Sequence, residues 1–148
     1  MNEQLRIVLD TNVVLDWLVF DDASIAPLRA AHAAGRVCLL ARADTLTELA
    51  RVLAYPLFAL SADAQTTALA QYAALRLPEE PIPEPVSTVL LKKLPICRDP
   101  DDQKFLELAR DQAATYLLSK DKRLLELNRR KFGLPFTILT PRAFAPHL

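Results

Sequence analysis

Glycine, cysteine, histidine and net charge are what this sequence has least of, and each shortage excludes something. Two of its 148 residues are glycine, and neither lies in Asp10-Thr11-Asn12, the turn after the first apolar run. A dinucleotide-binding loop needs glycine there so that backbone can approach a pyrophosphate, so that class is set aside. Two cysteines, Cys38 and Cys97, make no disulfide framework and are expected as reduced thiols in a cytoplasmic protein. His32 and His147 have no partner at metal-ligand spacing, which argues against a zinc site. No apolar run approaches the roughly 18–20 residues that a membrane span requires. The N-terminal run is cut by Asp10 and is not expected to be a signal peptide. Lysine and arginine number 18 against 18 aspartate and glutamate, so there is no global basic signature of nucleic-acid binding.

What is present is alternation. Leu5–Leu9 reads as a short buried strand, and Val13, Val14, Trp17 and Leu18 give helical spacing from Thr11 to about Phe20. Trp17 and Phe20 are expected in core packing or a dimer contact rather than in base stacking. Ser24 is expected to cap a second helix reaching about Ala34, stopped by Gly35. A strand over Val37–Leu40 follows, then a helix from about Asp44 to Leu53 and one capped by Ser61 to about Leu75. Leu77–Pro85, with four prolines, reads as an extended connector within one domain, residues 1–148. Val86–Leu94 fits either a strand or a short helix capped by Ser87. Beyond it come a helix from about Asp101 to Gln112, a strand over Thr115–Leu118, a helix over Lys122–Arg130 and a strand over Phe136–Leu139. A last helical turn has Pro141 at its favoured first position. Strands alternating with helices imply an α/β fold, a parallel sheet covered on both faces.

In such sheets ligands gather beyond the strand C-termini. Asp10 follows the first strand, Glu48 lies one turn into the helix after the second, Asp102 opens the helix after "LPICR", and Asp121 follows the third strand. Asp99 and Asp101 sit near the same edge. An aspartate after a strand is commonly a helix cap, and each position taken alone is a weak signal. Their recurrence after successive strands is the stronger one. Two unit charges about 4 Å apart repel by roughly 4 kcal/mol at an effective dielectric of 20, so converging carboxylates must protonate or bind a cation. Hard divalent ions favour such an all-oxygen set. Thr11 and Asn12 would orient Asp10, or a phosphate, from the helix N-terminus.

Four stretches, "IVLDTNVVLD", "TLTEL", "CRDPDDQKFLELA" and "YLLSKDKRLLEL", resemble the PIN-domain nucleases, and within them the bacterial toxin components of type II toxin–antitoxin pairs. The resemblance runs from Ile7 to about Phe144. It implies a three-layer α/β/α sandwich with a mostly parallel sheet of four to five strands. It implies that Asp10, Glu48, Asp102 and Asp121 are the four acids that bind one or two Mg²⁺ or Mn²⁺ ions and carry catalysis. Asn12 is the usual polar neighbour of the first acid, and Ser119 stands where the family often has Thr or Ser. The activity implied is endonucleolytic cleavage of single-stranded RNA, leaving 5′-phosphate and 3′-hydroxyl ends. The partners implied are a small cognate antitoxin and a second copy in a homodimer.

Residues 119–131 carry Lys120, Lys122, Arg123, Arg129, Arg130 and Lys131 against Asp121 and Glu126. This run reads either as a solvated helix face or as a phosphate-tracking patch, with Lys120, Lys122, Arg123, Arg129 and Arg130 as the backbone contacts. Lys104 reads first as a solvated lysine and second as a phosphate contact. Two rival functions are weighed. An aspartyl phosphatase would want a second aspartate two residues after Asp10, where Asn12 stands. A catalytically silent PIN-like binding module would keep the fold without turnover, and the complete acid set speaks against it.

Overall fold

The computed structural model describes residues 4–76, 94–129 and 132–148. The proline-rich connector, nearly all of the ambiguous 86–94 segment and Arg130 lie outside them. Among the described residues four strands form one all-parallel sheet: β1 (Leu5–Leu9), β2 (Val37–Leu40), β3 (Tyr116–Leu118) and β4 (Thr137–Leu139), in the spatial order β2-β1-β3-β4. The helices are α1 (Thr11–Leu18), α2 (Ala26–Ala33), α3 (Ala43–Leu53), α4 (Ala62–Leu75), α5 (Gln103–Asp111), α6 (Lys122–Leu125) and α7 (Pro141–Phe144).

Strand periodicity divides the apolar residues between two cores. Ile7 and Leu9, with Leu39 and Leu118, pack against Val13, Leu15, Leu28, Leu49 and Leu53 from the helices on one face. Val8, Leu40, Leu117 and Ile138 pack on the other face against Phe105, Leu106, Leu108 and Ala109 of α5 and against Leu124. A strand buried on both sides needs apolar residues at successive positions, which is why "IVL" and "VCLL" show no alternation. The result is a three-layer α/β/α sandwich, with the sheet as its middle layer.

Most helix ends match their sequence signals. Ser61 caps α4 by accepting from the Ala64 amide at 3.0 Å, and Thr140 caps α7. Gly35 follows α2 at φ 75°, the left-handed conformation that glycine adopts without a Cβ penalty. Two expectations are corrected. Asp22, not Ser24, caps the turn leading into α2: its Oδ1 accepts from both the Ser24 amide and the Ser24 hydroxyl. The helix expected over Lys122–Arg130 ends at Leu125. There the chain tightens into bonds from Leu127 to Leu124 and from Asn128 to Leu125, while Asn128 Oδ1 turns to accept from the Ile138 amide of β4. Burial of Leu124 and Leu127 against the sheet outweighs helical continuation through asparagine.

The chain runs from β1 outward to β2, then returns to place β3 on the other side of β1. The topological switch therefore lies between β1 and β3, and their C-terminal ends open on one crevice. The Asp10 amide donates to Leu118 O, and the Ser119 amide to Leu139 O, carrying the sheet's pairing up to that crevice. Among the described residues no helix is long and apolar enough to cross a membrane.

Candidate active site

Asp10 is both a cap and a member of the crevice. Its Oδ1 accepts from the Val13 amide at 2.9 Å, a bond typically worth about 1 kcal/mol to a helix. Its Oδ2 accepts from the Ser119 hydroxyl across the β1–β3 junction. Ser119 is fully buried, and its Oγ also accepts from the Asp121 amide at 2.9 Å. One hydroxyl thus fixes the first acid and the turn that carries the fourth.

Glu48 is buried on α3, and both of its oxygens are engaged. Oε2 accepts from the Thr11 hydroxyl, and Oε1 accepts from Lys104 Nζ at 2.6 Å, with Arg51 Nη2 3.7 Å away. Lys104 is therefore not the solvated lysine expected first; its ammonium is paired with Glu48.

The third acid comes from the 3₁₀ turn Pro100–Asp102, which Asp99 caps by accepting from the Asp101 amide at 3.0 Å. That turn places Asp99 and Asp102 beside Asp121, the cap of α6. One carboxylate oxygen from each of Asp99, Asp102 and Asp121 lies within 4.8 Å of the others, and all three residues are half-buried. Asp99, read from the sequence as a supporting residue, belongs to this tightest triad. Asp10 and Glu48 stand outside it but line the same cleft of about 360 Å³, as do Thr11, Asn12 and Asp101.

Electrostatics separates these acids. Asp10 is raised from 3.8 to about 6, chiefly by burial, against the bonds from Ser119 and Val13 that favour its charged form. Asp102 is raised from 3.8 to about 7, first by burial and then by Asp99, Asp10, Asp121 and Glu48. Asp121 is held low because the Arg123 guanidinium bonds it. Among the described residues neither Asp10 nor Asp102 has an ion-pair partner. An all-carboxylate triad in which Asp102, like the neighbouring Asp10, is pushed toward its protonated form by burial and nearby charge fits a hard divalent cation, whose charge would offset what the protein leaves uncompensated.

The basic run behaves differently from its sequence reading. Arg123 bends inward onto Asp121 and Asp99, at 2.9 and 3.2 Å. Lys120 pairs with the buried Asp16 of α1. Lys122 and Arg129 are exposed, and Arg130 lies outside the described residues. Of the five candidate phosphate contacts, Lys120 and Arg123 are exposed but ion-paired, and Lys122 and Arg129 are exposed with no ion pair among the described residues. Sequence reading also missed Arg51, although it stands three residues after Glu48 on the same helix face, and the cleft residues Tyr55, Leu57 and Phe58. Trp17 is buried as expected, packing edge-on against His32 at 5.6 Å, whereas Phe20 is half exposed.

A family model described as a PIN domain matches residues 6–123. No curated protein and no solved structure matches the chain.

Proposed function

The chain belongs to the PIN-domain family, whose members are generally nucleases, and on that premise we propose that it is a Mg²⁺- or Mn²⁺-dependent endoribonuclease of single-stranded RNA, the toxin of a toxin–antitoxin pair. The observation that carries this reading is the triad of Asp99, Asp102 and Asp121 within 4.8 Å, set in one cleft with Asp10 and Glu48.

Asp99, Asp102 and Asp121 would hold the ion, with Asp10 and Glu48 as further oxygen donors in the same cleft. The ion, when bound, supplies Lewis-acid activation of water and neutralises charge on a phosphodiester. The chain does the positioning. Ser119 and the Val13 amide hold Asp10 in one rotamer, and Thr11 and Lys104 do the same for Glu48. Arg123 keeps Asp121 ionised, so this ligand needs no deprotonation before it binds. Asn12, exposed in the first turn of α1, presents its amide at the cleft mouth for a substrate phosphate. Lys122 and Arg129 are the proposed contacts to the RNA backbone. The toxin role, the cognate antitoxin and the homodimer rest on the resemblance of the four motif stretches.

The test is cleavage of end-labelled single-stranded RNA with Mn²⁺, Mg²⁺ or EDTA, comparing wild type with Asp102→Asn. Activity should require metal and fall to about a hundredth or less in the variant, since groups that merely orient a metal ligand are already worth about 10–100-fold. Expression of wild type, but not of Asp102→Asn, should arrest growth if the toxin role holds. A catalytically silent module is the second reading. It is favoured by one observation: Lys104 and Arg123 already neutralise Glu48, Asp121 and Asp99 without an ion. Calorimetric Mn²⁺ binding with no cleavage of any single strand would select it.

A further inference from the structure

The acidic cleft has an apolar wall. Val52, Tyr55, Leu57 and Phe58 line it together with the six carboxylates. Four large hydrophobic side chains are exposed among the described residues, and three of them gather here: Leu57 at 86%, Phe20 at 53% and Tyr55 at 42%. Singly scattered apolar residues are ordinary on a protein surface, but a contiguous group beside a cleft marks a contact site. The rings are ordered relative to one another. Tyr55 and Phe58 lie 10° from parallel with centroids 6.3 Å apart, and Phe20 meets Phe58 edge-on at 5.6 Å. The turn that carries them is closed by bonds from Phe58 to Tyr55 and from Ala59 to Pro56, so the rings are presented by fixed backbone.

Charge indicates what this wall contacts. Six carboxylates line the cleft against two guanidiniums, Arg51 and Arg123, and both of these face carboxylates. A polyanion gains little from the cleft wall itself, so what this wall adds to the backbone contacts of Lys122 and Arg129 has to come from the bases. Unpaired bases offer flat faces that stack on aromatic rings whatever their sequence, whereas bases in a duplex are already stacked. Resting on the endoribonuclease reading above, we propose that Tyr55 and Phe58, flanked by Leu57 and Phe20, form a stacking shelf for unpaired bases next to the phosphate being cleaved. The shelf makes the site selective for single strands and supplies binding that salt does not screen.

The experiment measures binding in the Asp102→Asn background with Mn²⁺ present, using fluorescence anisotropy. The probes are a short labelled oligoadenylate and an abasic strand of the same length. The protein carrying Tyr55 should prefer the base-bearing strand by about tenfold, the scale of one base–aromatic stack. Adding Tyr55→Ala should remove that preference without changing the salt slope, and Tyr55→Trp should restore it and show tryptophan quenching on binding. Ile96→Ala, an exposed residue outside the cleft lining, should leave the preference intact. Equal affinity for the two strands, or a preference that survives Tyr55→Ala, overturns the shelf while leaving the nuclease reading to the cleavage assay. Binding of neither strand, with no cleavage by wild type, overturns both. A Tyr55→Ala change in oligomeric mass by light scattering, with RNA binding unaltered, makes the patch a protein interface and overturns the shelf alone.

Discussion

Arg42 and Asp102 each stand beside the C-terminal edge of the sheet with several carboxylates around them, and they meet opposite conditions. Arg42 precedes α3 and gathers Asp44 at 2.8 Å, Glu107 at 3.1 Å and Asp111 at 3.5 Å, tying α3 to α5. Its bidentate grip holds Asp44 below the usual carboxylate range. Asp102 sits among Asp99, Asp10, Asp121 and Glu48, has no ion-pair partner among the described residues, and is pushed up to about 7. The two clusters differ in where their cations stand: Arg42 reaches all three of its carboxylates, whereas Arg123 and Lys104 pair with Asp121, Asp99 and Glu48 and not with Asp102 or Asp10. A cluster with its cation built in is complete as a structural tie. A cluster whose cations reach only some of its carboxylates leaves the others under mutual repulsion, and that imbalance is what a metal ion can exploit.

This contrast can be tested in order of expected size. Cleavage is the largest effect, as given above for Asp102→Asn. Next comes the thermal shift with metal. At Mn²⁺ a hundred times its dissociation constant, mass action adds about 2.7 kcal/mol of stability. Asp102→Asn should lose most of the corresponding rise in Tm, and Arg42→Gln should keep it. Equal shifts in all three proteins would place the metal elsewhere.

Ser119→Ala probes the hinge of the acid cluster. The substitution removes the donor to Asp10 and the acceptor for the Asp121 amide, both near buried surface. The expected loss is about 2 kcal/mol in denaturant unfolding. Asp10 should titrate above about 6, because the Ser119 bond is its largest stabiliser in the charged form. An unchanged Asp10 titration, followed by carboxyl NMR, would remove Ser119 from the site.

The pH dependence has a definite sign. Asp10 and Asp102 bind protons more tightly folded than unfolded, at about 6 and about 7 against 3.8. Their contribution to stability is therefore fully present below about pH 4 and is lost as pH rises through 6 and 7. In EDTA the wild type should lose more stability between pH 4 and 8 than Asp102→Asn does, and Mn²⁺ should flatten the difference. The smallest effect is Arg42→Gln. Arg42 is partly exposed, so solvent screening limits the loss to about 1 kcal/mol or less. RNA cleavage and its metal dependence should be unchanged.

Much of the fold was legible because it depends on local pattern. Unbroken apolar runs at Leu5–Leu9 and Val37–Leu40 marked strands buried on both faces, and Ser61, Gly35 and Pro141 marked helix ends through their own backbone chemistry. The acids were legible as a recurrence after strands, since a parallel sheet brings strand C-termini to one edge. The failures have one physical cause. Side-chain partners are chosen in space: Lys104 looked solvated until α5 brought it onto Glu48, and Arg123, already beside Asp121, gains Asp99 when the Pro100–Asp102 turn comes within its reach. The sequence by itself determined an alternating α/β chain with carboxylates at one sheet edge, because periodicity and capping act between near neighbours. Only the tertiary structure decided that Asp99 joins Asp102 and Asp121, that Lys120 and Arg123 of the basic run pair with carboxylates, and that aromatic rings wall the cleft. Apart from the Arg123–Asp121 pair, two residues apart, those outcomes depend on contacts between segments far apart in the chain, where distance and burial fix which charges are paired and which are left over.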